Sequence, residues 1–193
     1  LAAGNRRVAR STLNVLNIHE RELPASPQQL GALIDSLSSR DDALWPRHCW
    51  PRMTFDRPLG VGAAGGHGPV RYVVEAYAPG QSIRFRFTGP RGFDGHHRLE
   101  IVALTAQRCV LRHTLEMTPR GGARFTWPLV FRPLHDALLE DALAVAQASL
   151  GQAPLVRPWS LRVRVLRWLV SRGRSSPQRT PRPSLQQPTA VKH

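Results

Sequence analysis

Four strand-like runs, Val70–Tyr77, Ser82–Thr88, His96–Leu104 and Arg108–Met117, follow one another and lead toward a long amphipathic helix. Each run alternates apolar with polar residues and is rich in β-branched or aromatic side chains. Ala78-Pro79-Gly80-Gln81 links the first pair and Thr105-Ala106-Gln107 the last pair. Links this short join antiparallel neighbours, so the runs form a meander. Pro133 at the first helical position opens a helix to about Leu150, with Gly151 just past its end. At about 100° per residue, Leu134, His135, Leu138, Leu139, Ala142, Leu143, Val145, Ala146, Ser149 and Leu150 form one broad stripe. Asp136, Glu140 and Gln147 take the opposite face, which predicts solvent exposure and an Arg132–Asp136 ion pair. A helix apolar over half its girth needs a sheet to lie on, and the meander supplies it.

The segments before and between these elements complete the order. Thr12–Glu22 alternates Leu13, Val15, Asn17 and His19 against Asn14, Leu16, Ile18 and Glu20, which predicts a first strand. Ser26-Pro27 reads as a helix cap with Pro at the first position, and Leu30, Leu33, Ile34 and Leu37 recur at helical spacing to about Ser38. A second short helix is expected from Asp41, with Asp42 in its first turn and Pro46 as its stop. Trp45–Pro69, rich in Pro and Gly, predicts mostly loop. Gly121-Gly122 predicts a turn, and Ala123–Phe131 a last strand. The chain divides into an extension over 1–10, a domain over 11–150 and a tail over 151–193.

Charge has to be placed before it can be interpreted. The formal net charge is +14, yet the tail alone holds eight Arg and Lys192 with no acidic residue. The chain before it carries 18 basic and 13 acidic residues and is only mildly basic. Pro158–Val170 (PWSLRVRVLRWLV) predicts a short basic helix with Leu161, Val165, Trp168 and Leu169 on one side and Arg164, Arg167 and Ser171 opposite. This is the pattern of a weak anchor to an anionic membrane or other acidic surface, outside the folded core. Arg172–His193 lacks apolar periodicity and is expected to be disordered. Cys49 and Cys109 form neither a CxxC pair nor a disulfide framework, so a reducing cytoplasm is the expected compartment, with peripheral membrane contact through the tail. No apolar run approaches the ~18 residues of a membrane-spanning helix, and Leu1–Arg10 lacks a signal-peptide core. Leu1 in place of an initiator Met is expected of a truncated or processed start.

The order strand, two short helices, antiparallel meander and long C-terminal helix resembles the START-like, or SRPBCC, superfamily. The resemblance covers roughly Leu13–Leu150. Its local carriers are Trp45-Pro46, Trp50-Pro51, Pro58-Leu59-Gly60-Val61-Gly62, Gly65-Gly66-His67-Gly68-Pro69, His135-Asp136 and Glu140-Asp141, which look like features of bacterial members. The resemblance implies an α+β helix-grip fold, a curved antiparallel sheet wrapped around a long C-terminal helix with two short helices after the first strand. It also implies a cavity between sheet and helix for a hydrophobic ligand. Only some members of the superfamily are enzymes, polyketide cyclases among them.

Strand alternation then nominates the lining. Ile83, Phe85 and Phe87 share the apolar face of one run, His97, Leu99 and Ile101 that of the next, and Cys109, Leu111, His113, Leu115 and Met117 that of the last. If Leu104 pairs with Arg108, Leu99 lies opposite His113 and His97 is its diagonal neighbour at roughly 7–8 Å. His135 sits near the middle of the helix stripe. The candidate ligand contacts are Trp45, Trp50, Tyr72, Phe85, Phe87, His97, Leu99, Leu111, His113 and Leu138, with Met53 joining the two Trp residues as an aromatic lid. His97, His113 and His135 are the catalytic candidates; as semi-buried polar residues they equally suit hydrogen bonding to backbone, water or ligand. The Gly65–Gly68 segment lacks the Lys and the following helix of a phosphate loop, and reads as an entrance loop. No HxH or HExxH pattern supports a metal, and no cofactor is expected.

Three functions compete on this reading. One is binding or carrying a small hydrophobic molecule. Another is a cyclase- or dehydratase-type enzyme acting on a polyketide-like or other apolar substrate through an inward His. A third is attachment of the basic tail to an anionic surface or nucleic acid; no base-reading module is recognisable, so specific nucleic-acid binding is not expected.

Overall fold

The computed structural model describes residues 14–172. Elements run in the order β1 (Val15–Leu23), α1 (Pro27–Asp35), β2 (Thr54–Phe55), β3 (Ala64–His67), β4 (Val70–Ala78), β5 (Ser82–Gly89), β6 (Phe93–Thr105) and β7 (Arg108–Pro119). They continue with α2 (Ala123–Thr126), a π-helical segment (Trp127–Phe131), α3 (Arg132–Ser149) and α4 (Leu161–Arg172). The strands form one curved antiparallel sheet in the order β1-β7-β6-β5-β4-β3-β2, and its inner face packs with α1 and α3. Thr12, Leu13 and the expected disordered segment beyond Arg172 lie outside the described residues.

Short turns set the register as their composition demands. Gln81 donates to Ala78 O across the β4–β5 turn, where Gly80 takes φ +73°. Thr105, rather than Leu104, pairs with Arg108, and a bulge after Ala103 absorbs the difference, so Leu99 still faces His113. Ser26 caps α1 reciprocally with Gln29, with Pro27 at the first position, and Leu30, Leu33 and Ile34 are buried on one side.

Two expectations are corrected. No helix follows Asp41; Asp42 instead accepts from the backbone N–H groups of Ser38, Leu44 and Trp45, tying the segment into turns that compete with a helix. The Trp45–Pro69 segment is mostly loop, as its composition predicts, and also contributes the short strands β2 and β3, which widen the sheet. At Gly65 any Cβ would meet Thr54 O at 2.0 Å, so only glycine permits the β2–β3 approach. Ala123–Phe131 is helical, not a strand, because β1 and β6 already occupy both edges of β7. No described helix is long and apolar enough to cross a membrane.

Candidate functional site

Between the sheet and α3 lies a cavity of about 220 Å³. Phe85 and Phe87 of β5, His97 and Leu99 of β6, and Leu111 and His113 of β7 form its sheet wall; Leu134, His135 and Leu138 of α3 form the other, and Trp45, Trp50 and Met53 bound it from the segment before β2. Nine of the ten residues expected as ligand contacts therefore border this space. Tyr72 does not. Its ring stands behind the lining, 5.0 Å from the Phe85 ring and 5.1 Å from His97, and its hydroxyl is 3.1 Å from His67 Nδ1.

A chain of imidazoles crosses the floor. His97 Nδ1 and His113 Nε2 are 3.1 Å apart and share one hydrogen bond. His19 on β1 pairs with His113 across the ladder, and the His135 ring lies 5.1 Å from His113 and 5.9 Å from His19. Burial, reinforced by neighbouring imidazoles, holds His97 and His113 well below the ordinary histidine range, so both are neutral near pH 7. His97 Nε2 and His113 Nδ1 have no hydrogen-bond partner among the described residues. His135 is also lowered by burial, against the pull of Asp136, whose Oδ1 lies 3.8 Å from its Nδ1.

His19 behaves oppositely. Its Nε2 is 3.0 Å from Asp136 Oδ1 and its Nδ1 3.2 Å from Glu140 Oε1. Burial lowers its pKa, but the hydrogen bonds and charges of the two carboxylates outweigh that and raise it. Asn17 donates to Asp136 and Arg21 to Glu140, so the polar side of β1 meets the acidic side of α3. Asp136 and Glu140 are thus corrected from solvent-facing to part-buried groups, although the expected Arg132–Asp136 pair is present at 3.7 Å. Burial would raise Asp136, yet His135, His19 and Asn17 hold it far below the usual carboxylate range. His19, His135 and Asp136 offer donor atoms within 4.8 Å of one another, a set able to contact one metal ion that no sequence spacing displayed.

The other end of the cavity is closed by α4. Asp141 Oδ2 accepts both the Trp50 indole N–H (2.7 Å) and the Trp159 indole N–H (2.9 Å). Arg167 lays its guanidinium carbon 3.8 Å from the Trp159 ring centroid and 4.5 Å from that of Trp50, and donates to the Cys49 carbonyl. Arg167 and Val170 line the cavity, and Val163 is buried in the core. The expectation that this helix lies outside the core is therefore corrected: Val163, Arg167 and Val170 turn inward, while Arg164 and the predicted apolar residues Leu161, Val165, Trp168 and Leu169 are exposed. The Cys49 thiol, pushed up to about 11 by burial and by Asp141, is a poor nucleophile.

No family model matches this chain, and no curated protein matches it. Solved structures do. A Thermobifida fusca protein determined by NMR superposes with a TM-score of 0.55 at 14% identity, covering 74% of this chain and 99% of its own. Norcoclaurine synthase from Thalictrum flavum, in complex with dopamine and hydroxybenzaldehyde, gives 0.52 at 16% identity, covering 78% and 96%. CalU16 from Micromonospora echinospora gives 0.52 at 12%, covering 85% and 96%. The chain has the helix-grip fold. Identities this low carry the architecture alone, and the expected α+β arrangement is met in its curved seven-stranded sheet and long helix.

Within the helix-grip frame, sequence alternation found the sheet wall and the inward His97 and His113 but missed His19, Asp141 and Arg167. A signal for His19 existed: Asn17, His19 and Arg21 alternate on one side of β1, complementary to Asp136 and Glu140 four residues apart on α3. Asp141 and Arg167 gave no comparable pattern, since their partners Trp50 and Trp159 come from separate loops.

Proposed function

We propose that this helix-grip protein binds a small, largely apolar molecule between its sheet and α3, holding one hydroxyl or carbonyl of that molecule on the His97–His113 pair. The supporting observation is a chiefly apolar cavity with two imidazole nitrogens left unpartnered in its buried wall. A buried polar atom without a partner costs about 1–3 kcal/mol, so such atoms are kept where something meets them. If His97 Nδ1 donates to His113, then His97 Nε2 accepts and His113 Nδ1 donates; the other tautomer reverses both. Either way the pair presents one donor and one acceptor. The synthase with the same fold holds dopamine and hydroxybenzaldehyde, small polar-tipped aromatics, which agrees with this chemistry. Native mass spectrometry of the freshly purified protein tests the reading. A co-purifying small molecule that leaves on denaturation is expected, and an apo mass that stays apo after incubation with a library of small aromatics and aliphatics counts against it.

Catalysis on an apolar substrate is the second reading. His135, with Asp136 beside it, and the paired His97–His113 supply groups able to take a proton at one nitrogen and return one at another. Turnover that disappears in His97→Gln, His113→Gln and His135→Gln while ligand mass is still retained would favour the enzyme; an unchanged ligand recovered from wild type favours the carrier. The exposed Leu161, Val165, Trp168 and Leu169, with Arg162 and Arg164 between them, support reversible contact of α4 with an anionic membrane.

A further inference from the structure

Among the described residues that line the cavity, Arg167 is the one Arg, Lys, Asp or Glu. Its guanidinium rests on the faces of Trp50 and Trp159, and one nitrogen donates to the Cys49 carbonyl. No described carboxylate lies within 4.0 Å of it to form an ion pair. Asp141, the nearby anion, spends Oδ2 on the two indole N–H groups and so fixes the aromatic shelf on which the cation sits. A planar guanidinium with donors left over at the edge of a cavity matches a carboxylate or phosphate edge.

We infer that the ligand carries an anionic head, a carboxylate or phosphate monoester, received by Arg167, while its apolar body reaches inward along Phe85, Leu99, Leu111 and Leu138. This rests on the cavity-binding reading and adds charge and polarity direction to it. A cavity of about 220 Å³ suits a compact ligand of one ring or a short chain. The head sits where α4 closes the cavity, and any hydroxyl or carbonyl on the body meets His97 and His113 at the floor.

Calorimetric titration of the full chain with octanoate, octyl phosphate and octan-1-ol tests this. Wild type is expected to bind at least one anion about tenfold more tightly than the alcohol, the scale of a charge-assisted contact; the tighter anion identifies the head group. Arg167→Gln should remove that preference, weakening the anions by about tenfold more than it changes octan-1-ol. Equal binding of all three by wild type, or a preference that persists in Arg167→Gln, overturns the assignment while cavity binding stands. If Arg167→Gln weakens the alcohol as much as the anions, Arg167 is a clasp for α4 and not a receptor, which also overturns it. Failure of all three probes to bind wild type removes the cavity reading and this inference together.

Discussion

Burying an imidazole pair in an apolar wall fixes its protonation, and the fold pays for that at acid pH. His97 and His113 have folded pKa values below the 6.5 of the unfolded chain, so the unfolded state binds protons there more readily. Stability is therefore lost as pH falls below 6.5. His19 has the opposite sign: its folded pKa is raised by Asp136 and Glu140, so its contribution is complete below 6.5 and disappears as pH rises through the folded value. The gap in urea stability between wild type and His19→Gln should accordingly be larger in mildly acidic than in alkaline buffer; a gap independent of pH would contradict the bridging role. Asp141→Ala leaves both indole N–H groups without their shared acceptor, and a loss of about 1–3 kcal/mol is expected in the same assay. Leu138 borders the cavity, whereas Leu30 is wholly buried away from it. Leu30→Ala should cost about 2–5 kcal/mol and Leu138→Ala less, because a side chain beside a void has fewer contacts to lose. Equal losses would argue that the space is closed in solution.

The strands and helices differ in how openly their sequences announced them. The β6–β7 register was legible because a short turn fixes the pairing and the Cys109–Met117 alternation leaves one choice of face. β1 was legible as a strand but not in its facing: Leu16 and Ile18 are 64% and 49% exposed, while Asn17, His19 and Arg21 turn inward to α3. Apolarity alone picks the wrong side when the partner helix presents carboxylates. Trp127–Phe131 defeated the periodicity argument because a short apolar run suits strand and helix equally. In α4 the helix was legible and its docking was not, since the inward side is Val163 and Val170 together with Arg167 on two indoles, while the more conspicuous apolar residues face outward. The outward side of α4 is apolar and exposed at Leu161, 74%, and Leu169, 54%. Vesicles containing anionic lipid should co-sediment the protein at low salt and release it as salt rises. The double variant Leu161→Asp, Leu169→Asp should lose that binding without a change in melting temperature, and sedimentation equal to wild type would refute the contact.

At the scale of the whole molecule, a seven-stranded sheet closes on α3 from one side and α4 seals the end, leaving an apolar space with imidazoles at the floor and a cation at the rim. The two helices hold by different means, α3 through the β1 polar seam and α4 through Val163 in the core and the Asp141 hydrogen bonds to Trp50 and Trp159 just before it. The most direct measurement is amide and methyl chemical-shift mapping of the labelled protein during titration with octanoate. Cavity binding predicts saturable shifts at Leu99, Leu111, His113 and Leu138, with α4 responding at Val170. Shifts confined to the exposed face of Leu161, Val165 and Leu169, or no saturable shift at all, would contradict it.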